Sequence, residues 1–542
     1  MQTTTTQTTA TTEAEGLAPR RSPNLTRRIV PAVVLLTLLS LATHLWGIQK
    51  ELPYIPHIDE PSLVRPAVQM AATGDLNPHW FGHPGSTVIY PLVPIYRTYH
   101  ALARGGLLLR PDPALAADFA ANPAPYYLLG RILTILYAAG CVPLVYLIGR
   151  RAFSPAAGLL GAGLAIAFPI AVSHGQLVRT DSASAFFGLA GLYACLALHH
   201  RPTLGRQVVA GLVAGLAIST KYYLGIVVFV LLVVDALRVA ERLRRGVLRE
   251  REVWIMVAGL AAVAIGFGLS TPYFFLDANQ AWHDIRVETR STHLGHDGLS
   301  TWGNLRWYLG TVLPQEAGVA RYTLAGVGLI LVAWRRRAGA ALVVVYLALY
   351  LLGISLSALH WERWLIPILP LVGLLAAHAL WTAASGLAAR RPRLTLFGGA
   401  AAVVVALAAT YAPAREVAAQ NIRQSRPTTR ILLREWILAN VPAGVCIVQE
   451  EYTAPLRSGE GYLLKYVWAL PDESPDAYAR LDCDHFVASS WMYNRYLAEP
   501  ARYARHAEFY QRLFREGTLL TEIRPSPTTD GPVLRLYRWS PS

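Results

Sequence analysis

The first long apolar segment of the chain reads IVPAVVLLTLLSLATHLW, from Ile29 to Trp46, and contains no Asp, Glu, Lys or Arg. A helix that crosses a bilayer needs about 20 mainly apolar residues, so this segment predicts a first transmembrane helix. It is longer than the apolar core of a cleavable signal peptide, and no small-x-small cleavage site follows it. The arginines that precede the segment favour a cytoplasmic N-terminus; they are Arg20, Arg21, Arg27 and Arg28.

Further apolar segments follow, and together with the first they predict about eleven transmembrane helices. With a cytoplasmic N-terminus, odd segments run outward and even segments run inward, so every arginine-rich connection lies inside. The chain is therefore predicted to be an α-helical polytopic protein of the plasma (inner) membrane. The predicted segments are 29–48, 126–148, 155–173, 183–199, 207–219, 222–238, 253–271, 321–334, 339–358, 364–383 and 395–412.

The composition agrees with a membrane protein, since 54% of the 542 residues are hydrophobic and only 15% are charged. That balance is too apolar for a soluble protein of this length. A formal net charge of +15 could indicate nucleic-acid binding. The basic residues, however, cluster in short predicted cytoplasmic connections, so we interpret the charge as a topology signal and expect no nucleic-acid partner.

The chain divides into a tail, a membrane part and a C-terminal region. Residues 1–28 are predicted to be a disordered cytoplasmic tail, rich in threonine and without apolar periodicity. Residues 29–412 are predicted to form the transmembrane domain, with long outer loops at 49–125 and 271–320. The apolar stretch Val88–Leu109 in the first loop predicts one or two helices along the membrane surface.

The C-terminal region, residues 413–542, loses the long apolar runs and gains charged residues. It predicts a small extracytoplasmic α/β domain. Cys446 and Cys483 lie beside predicted strands, where an extracytoplasmic location permits a disulfide bond, although the sequence leaves open whether the two sulfurs meet. Cys141 and Cys195 are interpreted as packing residues. The predicted elements are a helix at 429–440 and strands at 445–449, 485–489 and 533–539.

Several ionisable residues lie at the predicted outer ends of the helices, where unpaired charge is costly. Asp59 and Glu60 follow the first segment, where a carboxylate could take a proton from an incoming hydroxyl or could be an ordinary solvated loop acid. Arg179 and Asp181 join the third and fourth segments, and an interfacial anchor is the alternative interpretation there. Lys221, between the fifth and sixth segments, could bind a lipid phosphate or could simply snorkel to the interface.

Two further motifs belong to the same predicted outer face. The sequence HWERW, residues 360–364, offers Arg363 as a phosphate fork and tryptophans as belt residues or as a platform for a sugar or prenyl group. His83 lies in Gly82–Ser86, a predicted tight turn. The sequence contains no zinc-type Cys/His spacing, Gly-Lys-Ser/Thr phosphate loop or GxSxG elbow. ATP-driven work is therefore not expected.

In this order and at these positions, the motifs resemble those of the GT-C glycosyltransferases, specifically the family of protein O-mannosyltransferases and the bacterial lipid A aminoarabinose transferase. The resemblance covers about residues 29–412. In the C-terminal region the segment FVASSWMYNRY, residues 486–496, looks like the outer α/β domain of many prokaryotic members. At Gly85 the chain departs from the pattern, because relatives often have a second proline there. The motifs that carry the resemblance are Asp59-Glu60, His83-Pro84, Arg179-x-Asp181, Gly215-x5-Lys221 and His360-x-Glu362-Arg363.

The resemblance implies transfer of a sugar, with inversion, from a polyprenyl-phosphate-linked donor to a hydroxyl of a protein, lipid or glycan acceptor at the outer face of the lipid membrane. It implies Asp59 as the general base, with Glu60 and Asp181 in the same catalytic group and Asp181 shaping the pocket. No catalytic metal and no cofactor are implied. The residues expected to bind substrate are His83, Arg179, Lys221, His360, Glu362 and Arg363.

Two other classes of protein share parts of this pattern. A lipid or sugar-lipid transporter would also have many spans and basic outer sites, but it should carry ionisable residues near mid-membrane on broken helices. A non-catalytic scaffold that binds envelope polymers would keep the same fold. Its output would not depend on Asp59, Asp181 or Lys221.

Overall fold

The computed structural model describes residues 23–540 apart from 55–56, 58, 106–108, 248, 290–297 and 358. Most of the predicted tail, residues 1–22, lies outside the described residues; the prediction of disorder is wrong for residues 23–28, which belong to the first helix. The helices are α1 (Pro23–Leu45), α2 (Pro61–Thr73), α3 (Ser86–Arg104), α4 (Ala114–Ala121), α5 (Ala124–Ala152), α6 (Pro155–Leu164), α7 (Pro169–Gly175), α8 (Thr180–His200), α9 (Leu204–Thr220), α10 (Ile226–Arg244), α11 (Glu250–Ser270), α12 (Tyr273–Leu276), α13 (Ala278–Glu288), α14 (Thr301–Trp307), α15 (Leu313–Ala317), α16 (Val319–Arg335), α17 (Ala338–Ser355), α18 (Leu369–Arg390), α19 (Thr395–Gln424), α20 (Thr429–Asn440), α21 (Pro475–Arg480), α22 (Ser490–Ala498) and α23 (Ala504–Glu516). The strands are β1 (Cys446–Gln449), β2 (Leu463–Tyr466), β3 (Cys483–Ser489), β4 (Thr518–Ile523) and β5 (Leu534–Arg538).

The predicted apolar segments all overlap helices of the structure, from α1 to α19. By length and composition, seven of the described helices could cross a membrane, or eight if the bent pair α6 and α7 is one span. Shorter apolar stretches occur at Ile29–Leu45 and Leu204–Thr220. The prediction of an α-helical multi-pass membrane protein is therefore confirmed, although fewer than eleven helices have full spanning length.

The third predicted segment, 155–173, is broken rather than continuous. Helix α6 ends at Leu164, α7 begins at Pro169, and the two are bent by 69°. Proline lacks a backbone N–H and clashes inside a helix, so Pro169 is favourable only in the first turn of a new one. Arg321 of α16 is fully buried and donates hydrogen bonds to the carbonyl oxygens of Leu164 (2.9 Å) and Ala167 (2.7 Å). This arginine supplies partners for carbonyls that the break leaves without helical ones.

Helices α9 and α11 pack closely through glycines. A Cβ added at Gly211 would lie 2.2 Å from the carbonyl oxygen of Gly259, and one at Gly215 would lie 2.4 Å from that of Val263. Small residues that let backbones approach in this way are typical of membrane helix pairs. Because α9 ends at Thr220 with Lys221 as its C-cap, this packing also fixes the position of that lysine.

The first long loop folds into α2, α3 and α4, which pack together through a buried apolar cluster that includes Val64, Val68 and Leu92. Helix α3 confirms the helix predicted within Val88–Leu109. Helix α2 begins at Pro61, so Asp59 and Glu60 are held at its N-terminal end.

The C-terminal domain contains a five-stranded sheet in the order β2-β1-β3-β5-β4. Strand β1 runs parallel to both β2 and β3, whereas β5 is antiparallel to β3 and β4. A disulfide bond joins Cys446 of β1 to Cys483 of β3. The predicted small α/β domain is confirmed, and the structure adds the two edge strands β2 and β4. Those two escaped prediction because both are partly exposed and carry no clear apolar alternation.

Candidate active site

Glu60, just before α2, is a buried carboxylate that binds Arg131 of α5 and the backbone of Val178. Its carboxylate accepts hydrogen bonds from Nε (2.8 Å) and Nη2 (2.7 Å) of Arg131, and both side chains are almost completely buried. One carboxylate oxygen also accepts the backbone N–H of Val178 at 3.0 Å. Burial alone would raise the pKa of Glu60, but the charge and hydrogen bonds of Arg131 outweigh it and hold that pKa below its usual range.

Asp59 has a different environment, although it is the next residue in the chain. Its side chain is 36% exposed and forms an ion pair with Arg179, and Nη2 of Arg363 lies 3.9 Å from its carboxylate. Burial of the group acts to raise its pKa, but the nearby guanidinium charges, chiefly that of Arg179 and also that of Arg363, outweigh burial and lower it. Asp59 is thus an ionised carboxylate that remains accessible to a solute.

Asp181 and Lys221 form a second charged pair, brought together from α8 and the end of α9. The Lys221 Nζ lies 2.6 Å from Oδ1 of Asp181, while Nε of Arg179 lies 3.4 Å from its other oxygen. Asp181 is 1% exposed, so its charge is satisfied by these two cations rather than by water. The ammonium of Lys221 also lies 5.5 Å from the ring centre of Tyr223, within range of a cation–π contact.

Arg179 is oriented by two histidines as well as by carboxylates. Its Nη1 lies 2.7 Å from Nδ1 of His174 and 3.5 Å from Nε2 of His57. Because a guanidinium can only donate, the imidazole nitrogens that face it must accept. Burial and the charge of Arg179 lower the pKa of His57 to about 3, which keeps that ring neutral.

Asp59, Arg179 and Lys221 line a cavity of about 1000 Å³ between the helix ends and the C-terminal domain. Aromatic side chains form much of its wall, and the C-terminal domain contributes part of it. The charged and histidine residues that line it are His57, Asp59, His83, Arg179, Lys221, Glu288, Arg363 and Arg495; the aromatic residues are Tyr222, Tyr223, Trp361, Trp364, Tyr452 and Trp468.

The sequence-predicted residues divide into three groups in the structure. Asp59, His83, Arg179, Lys221 and Arg363 line the cavity, and Asp181 lies behind Arg179 and Lys221.

Glu60 is not among the lining residues, and neither are His360 and Glu362. The His360 ring packs against Trp307 at 4.4 Å between ring centres. Glu362 is exposed; burial raises the pKa of Glu316, and the charge of Glu362 adds to that effect.

Sequence reasoning did not select four residues that matter to this geometry. Arg131 lies inside an apolar segment, and its unusual buried charge was a usable signal. Tyr452, Trp468 and Arg495 come from the C-terminal domain, and only the fold brings them to the cavity. Within the part of the chain that the structure describes, no group of three or more His, Cys, Asp or Glu side chains could hold a metal ion.

One protein-family model matches part of the membrane domain. The family model described as dolichyl-phosphate-mannose-protein mannosyltransferase matches residues 128–267, which include Arg179, Asp181 and Lys221. No match occurs among curated protein sequences.

Solved structures match almost the whole chain. ArnT from Cupriavidus metallidurans bound to undecaprenyl phosphate covers 95% of this chain and 98% of its own, with a TM-score of 0.54 and 15% identity. The archaeal oligosaccharyltransferase AglB from Archaeoglobus fulgidus, in complex with an inhibitory peptide and a dolichol-phosphate, covers 92% and 73%, with a TM-score of 0.53 and 12% identity. The chain therefore shares the fold of ArnT and AglB, as the resemblance to the GT-C glycosyltransferases predicts.

Proposed function

We propose that this chain is a membrane glycosyltransferase that transfers a sugar from a polyprenyl-phosphate-linked donor to an acceptor hydroxyl. The observation that carries the proposal is the Asp59 carboxylate, which opens into a 1000 Å³ cavity beside three cations, Arg179, Lys221 and Arg363. A base next to fixed positive charge is what glycosyl transfer from a phosphate ester requires. The similar structures of ArnT and AglB contain undecaprenyl phosphate and dolichol-phosphate, respectively, which supports a lipid-linked donor.

The proposed reaction is a direct displacement at the anomeric carbon of the sugar. The acceptor hydroxyl gives its proton to the Asp59 carboxylate while its oxygen forms a bond to the anomeric carbon of the sugar. The bond from that carbon to the phosphate oxygen breaks, and its electron pair leaves with the polyprenyl phosphate. Attack opposite the departing phosphate inverts the anomeric centre. Lys221 and Arg363 stabilise the charge that grows on the leaving phosphate, an effect typically worth about 3–4 kcal/mol for one well-placed group.

The remaining residues act through these groups. Asp181 orients Lys221 and Arg179, because its two carboxylate oxygens contact one cation each. Glu60 acts as a positioning residue: it ties the Asp59 loop to Arg131 and to the backbone beside Arg179. His83 lines the donor or acceptor pocket. We assign no substrate contact to His360 or Glu362.

The site is proposed to face the outside of the cell. The arginine-rich connections lie at the helix ends opposite Asp59, and such connections normally stay in the cytoplasm. A cysteine placed at exposed Asp476 of the C-terminal domain should react with an impermeant thiol reagent in intact cells. Labelling only after lysis would reverse the orientation.

The test of activity is sugar transfer by membranes that contain the Asp59→Asn variant and a set of polyprenyl-phosphate-linked sugars. The asparagine keeps the shape but cannot accept the proton, so transfer should fall at least about 100-fold. Asp476→Asn, on the exposed surface of the C-terminal domain, is the matched control and should transfer normally. Wild-type transfer by Asp59→Asn would eliminate Asp59 as the base.

A further inference from the structure

The C-terminal domain presents the carboxyl ends of its three parallel strands to the cavity. Tyr452 follows β1, Trp468 follows β2, and Arg495 lies on α22, which begins directly after β3. In sheets of this kind, ligands bind beyond the carboxyl ends of the strands. These three side chains therefore form the wall of the cavity that faces the charged helix ends.

A buried carboxyl group holds the three strand ends in register. Glu450, at the end of β1, is fully buried and accepts the backbone N–H of Leu470 (3.0 Å) and of Ser489 (2.8 Å). Leu470 lies two residues beyond Trp468, Ser489 ends β3, and Glu450 itself lies two residues before Tyr452. One side chain thus fixes the spacing of the Tyr452, Trp468 and Arg495 wall, and Tyr510 hydrogen-bonds to the same carboxyl.

Tyr452 adopts a conformation that a tyrosine rarely takes. Its φ of 62° lies in the left-handed region, which is unfavourable for a tyrosine and persists only where the surroundings require it. The ring packs edge-on against Trp491 at 5.5 Å, and the Arg495 guanidinium lies 5.4 Å from its centre. Within the described residues, Arg495 has no carboxylate within ion-pair distance, so its donors face the cavity without a fixed anion.

The charges of the residues that line the cavity also favour an anionic ligand. Among the described residues, the cations that line the cavity are Arg179, Lys221, Arg363 and Arg495, and the carboxylates that line it are those of Asp59 and Glu288. Arg179, Lys221 and Arg363 sit at the helix ends near Asp59, where a lipid-anchored phosphate would remain close to the membrane. Arg495 comes from the C-terminal domain, as does Trp468, which is 39% exposed.

We propose that Tyr452, Trp468 and Arg495 form an acceptor subsite for a saccharide that carries an anionic group. The aromatic rings would stack on the apolar face of a sugar ring, and the guanidinium would bind a carboxylate or phosphate through paired hydrogen bonds. This inference rests on the proposed glycosyl transfer, and it narrows the acceptor to a charged glycan.

The test measures binding of five probes to the full chain in nanodiscs: a neutral disaccharide, the same disaccharide carrying a uronate carboxylate, the same one carrying a phosphate, an acidic peptide, and polyprenyl phosphate. Wild type should bind at least one charged disaccharide about tenfold or more tightly than the neutral one. Arg495→Ala should remove that preference and leave the neutral affinity unchanged. Trp468→Ala should weaken all three disaccharides, and Arg480→Ala, an exposed arginine outside the cavity, should change nothing.

Equal binding of charged and neutral disaccharides by wild type, or tighter binding of the acidic peptide, would overturn the proposal. So would an Arg495→Ala variant that loses affinity for polyprenyl phosphate instead of for the disaccharides, because Arg495 would then serve the donor. The uronate and phosphate probes separate the two sources of negative charge. The proposed function fails separately, if wild type transfers no sugar from any polyprenyl-phosphate donor.

Discussion

Replacing Glu60 by glutamine should abolish sugar transfer by displacing Asp59 and Arg179, not by removing a group that touches substrate. Glu60 and Arg131 are 0% and 1% exposed and share two hydrogen bonds of 2.7 and 2.8 Å. The glutamine leaves the Arg131 guanidinium buried without its anion. Removing one partner of a buried ion pair typically costs about 3–5 kcal/mol, so we expect the free energy of unfolding to fall by about that amount.

The companion variant Arg131→Met tests the same ion pair from its other side. It leaves the Glu60 carboxylate unpaired and also removes the donor to the carbonyl oxygens of Ile48 (2.7 Å) and Lys50 (2.8 Å). We therefore expect a loss of stability at least as large as that of Glu60→Gln, and loss of transfer as well. The double variant should be less unstable than the sum of the two single variants, by about 1–3 kcal/mol, because neither charge is then left alone.

The free energy can be measured by equilibrium unfolding in mixed micelles, with transfer assayed on the same preparations. Arg104→Gln, which breaks the exposed Arg104–Asp118 pair in the same loop, is the control and should change both quantities little. A positioning role for Glu60 is excluded if Arg131→Met is as stable and active as wild type while Glu60→Gln folds normally and is inactive. That result would mean that Glu60 acts on the substrate directly.

Four further outcomes are expected. The charge of Arg179 holds the pKa of Asp59 below its ordinary value of 3.8, so this base stays ionised as the pH falls. The rate of transfer, measured against pH, should therefore show no loss due to protonation of Asp59 above about pH 4, and a loss centred near pH 6 would mean that another group is the base. Lys221→Met should lower kcat by about 100-fold, measured at saturating donor, because the leaving phosphate loses its ammonium, and Lys221→Arg should recover part of that loss; an unchanged rate would remove Lys221 from the mechanism. Burial raises the pKa of Glu450 from 4.5 to about 8, so between these values the folded chain holds a proton that the unfolded chain has released. The stability of the protein, measured by thermal unfolding, should therefore fall as the pH rises from about 5 to 8, and this dependence on pH should vanish in Glu450→Gln. Reducing the Cys446–Cys483 bond should destabilise the C-terminal domain by about 4 kcal/mol, as expected for a loop of this length, with the Cys446→Ser/Cys483→Ser variant as the reference insensitive to reductant.

Hydrophobic periodicity and motif order were sufficient for much of the architecture. The helix positions follow from burial in lipid, a local property of each segment, so α5, α8 and α11 could be located without knowing what they pack against. Prediction failed where tertiary contacts compensate for a local defect. The break between α6 and α7 is stabilised by Arg321, a residue more than 150 positions away along the chain.

In the candidate site, too, some features could be predicted from the sequence and others depend on tertiary contacts. Asp59, Arg179, Asp181, Lys221 and Arg363 could be selected from the sequence because each is an ionisable residue beside an apolar segment, where charge is expensive unless it is paired or functional. Their pairings could not be predicted from the sequence.

Glu60 and Asp59 are neighbours with the same chemistry, yet one carboxylate is sealed against Arg131 and the other opens into the cavity. That difference depends on where helices distant in sequence place their side chains, and burial and charge pairing are decided only by that packing. The same holds for Tyr452, Trp468 and Arg495, whose local sequence indicates strands and a helix, whereas only the folded domain places them above the membrane helices. The sequence thus determined which ionisable and aromatic side chains are available to the site. The tertiary structure determined the contacts that assign a role to each of them.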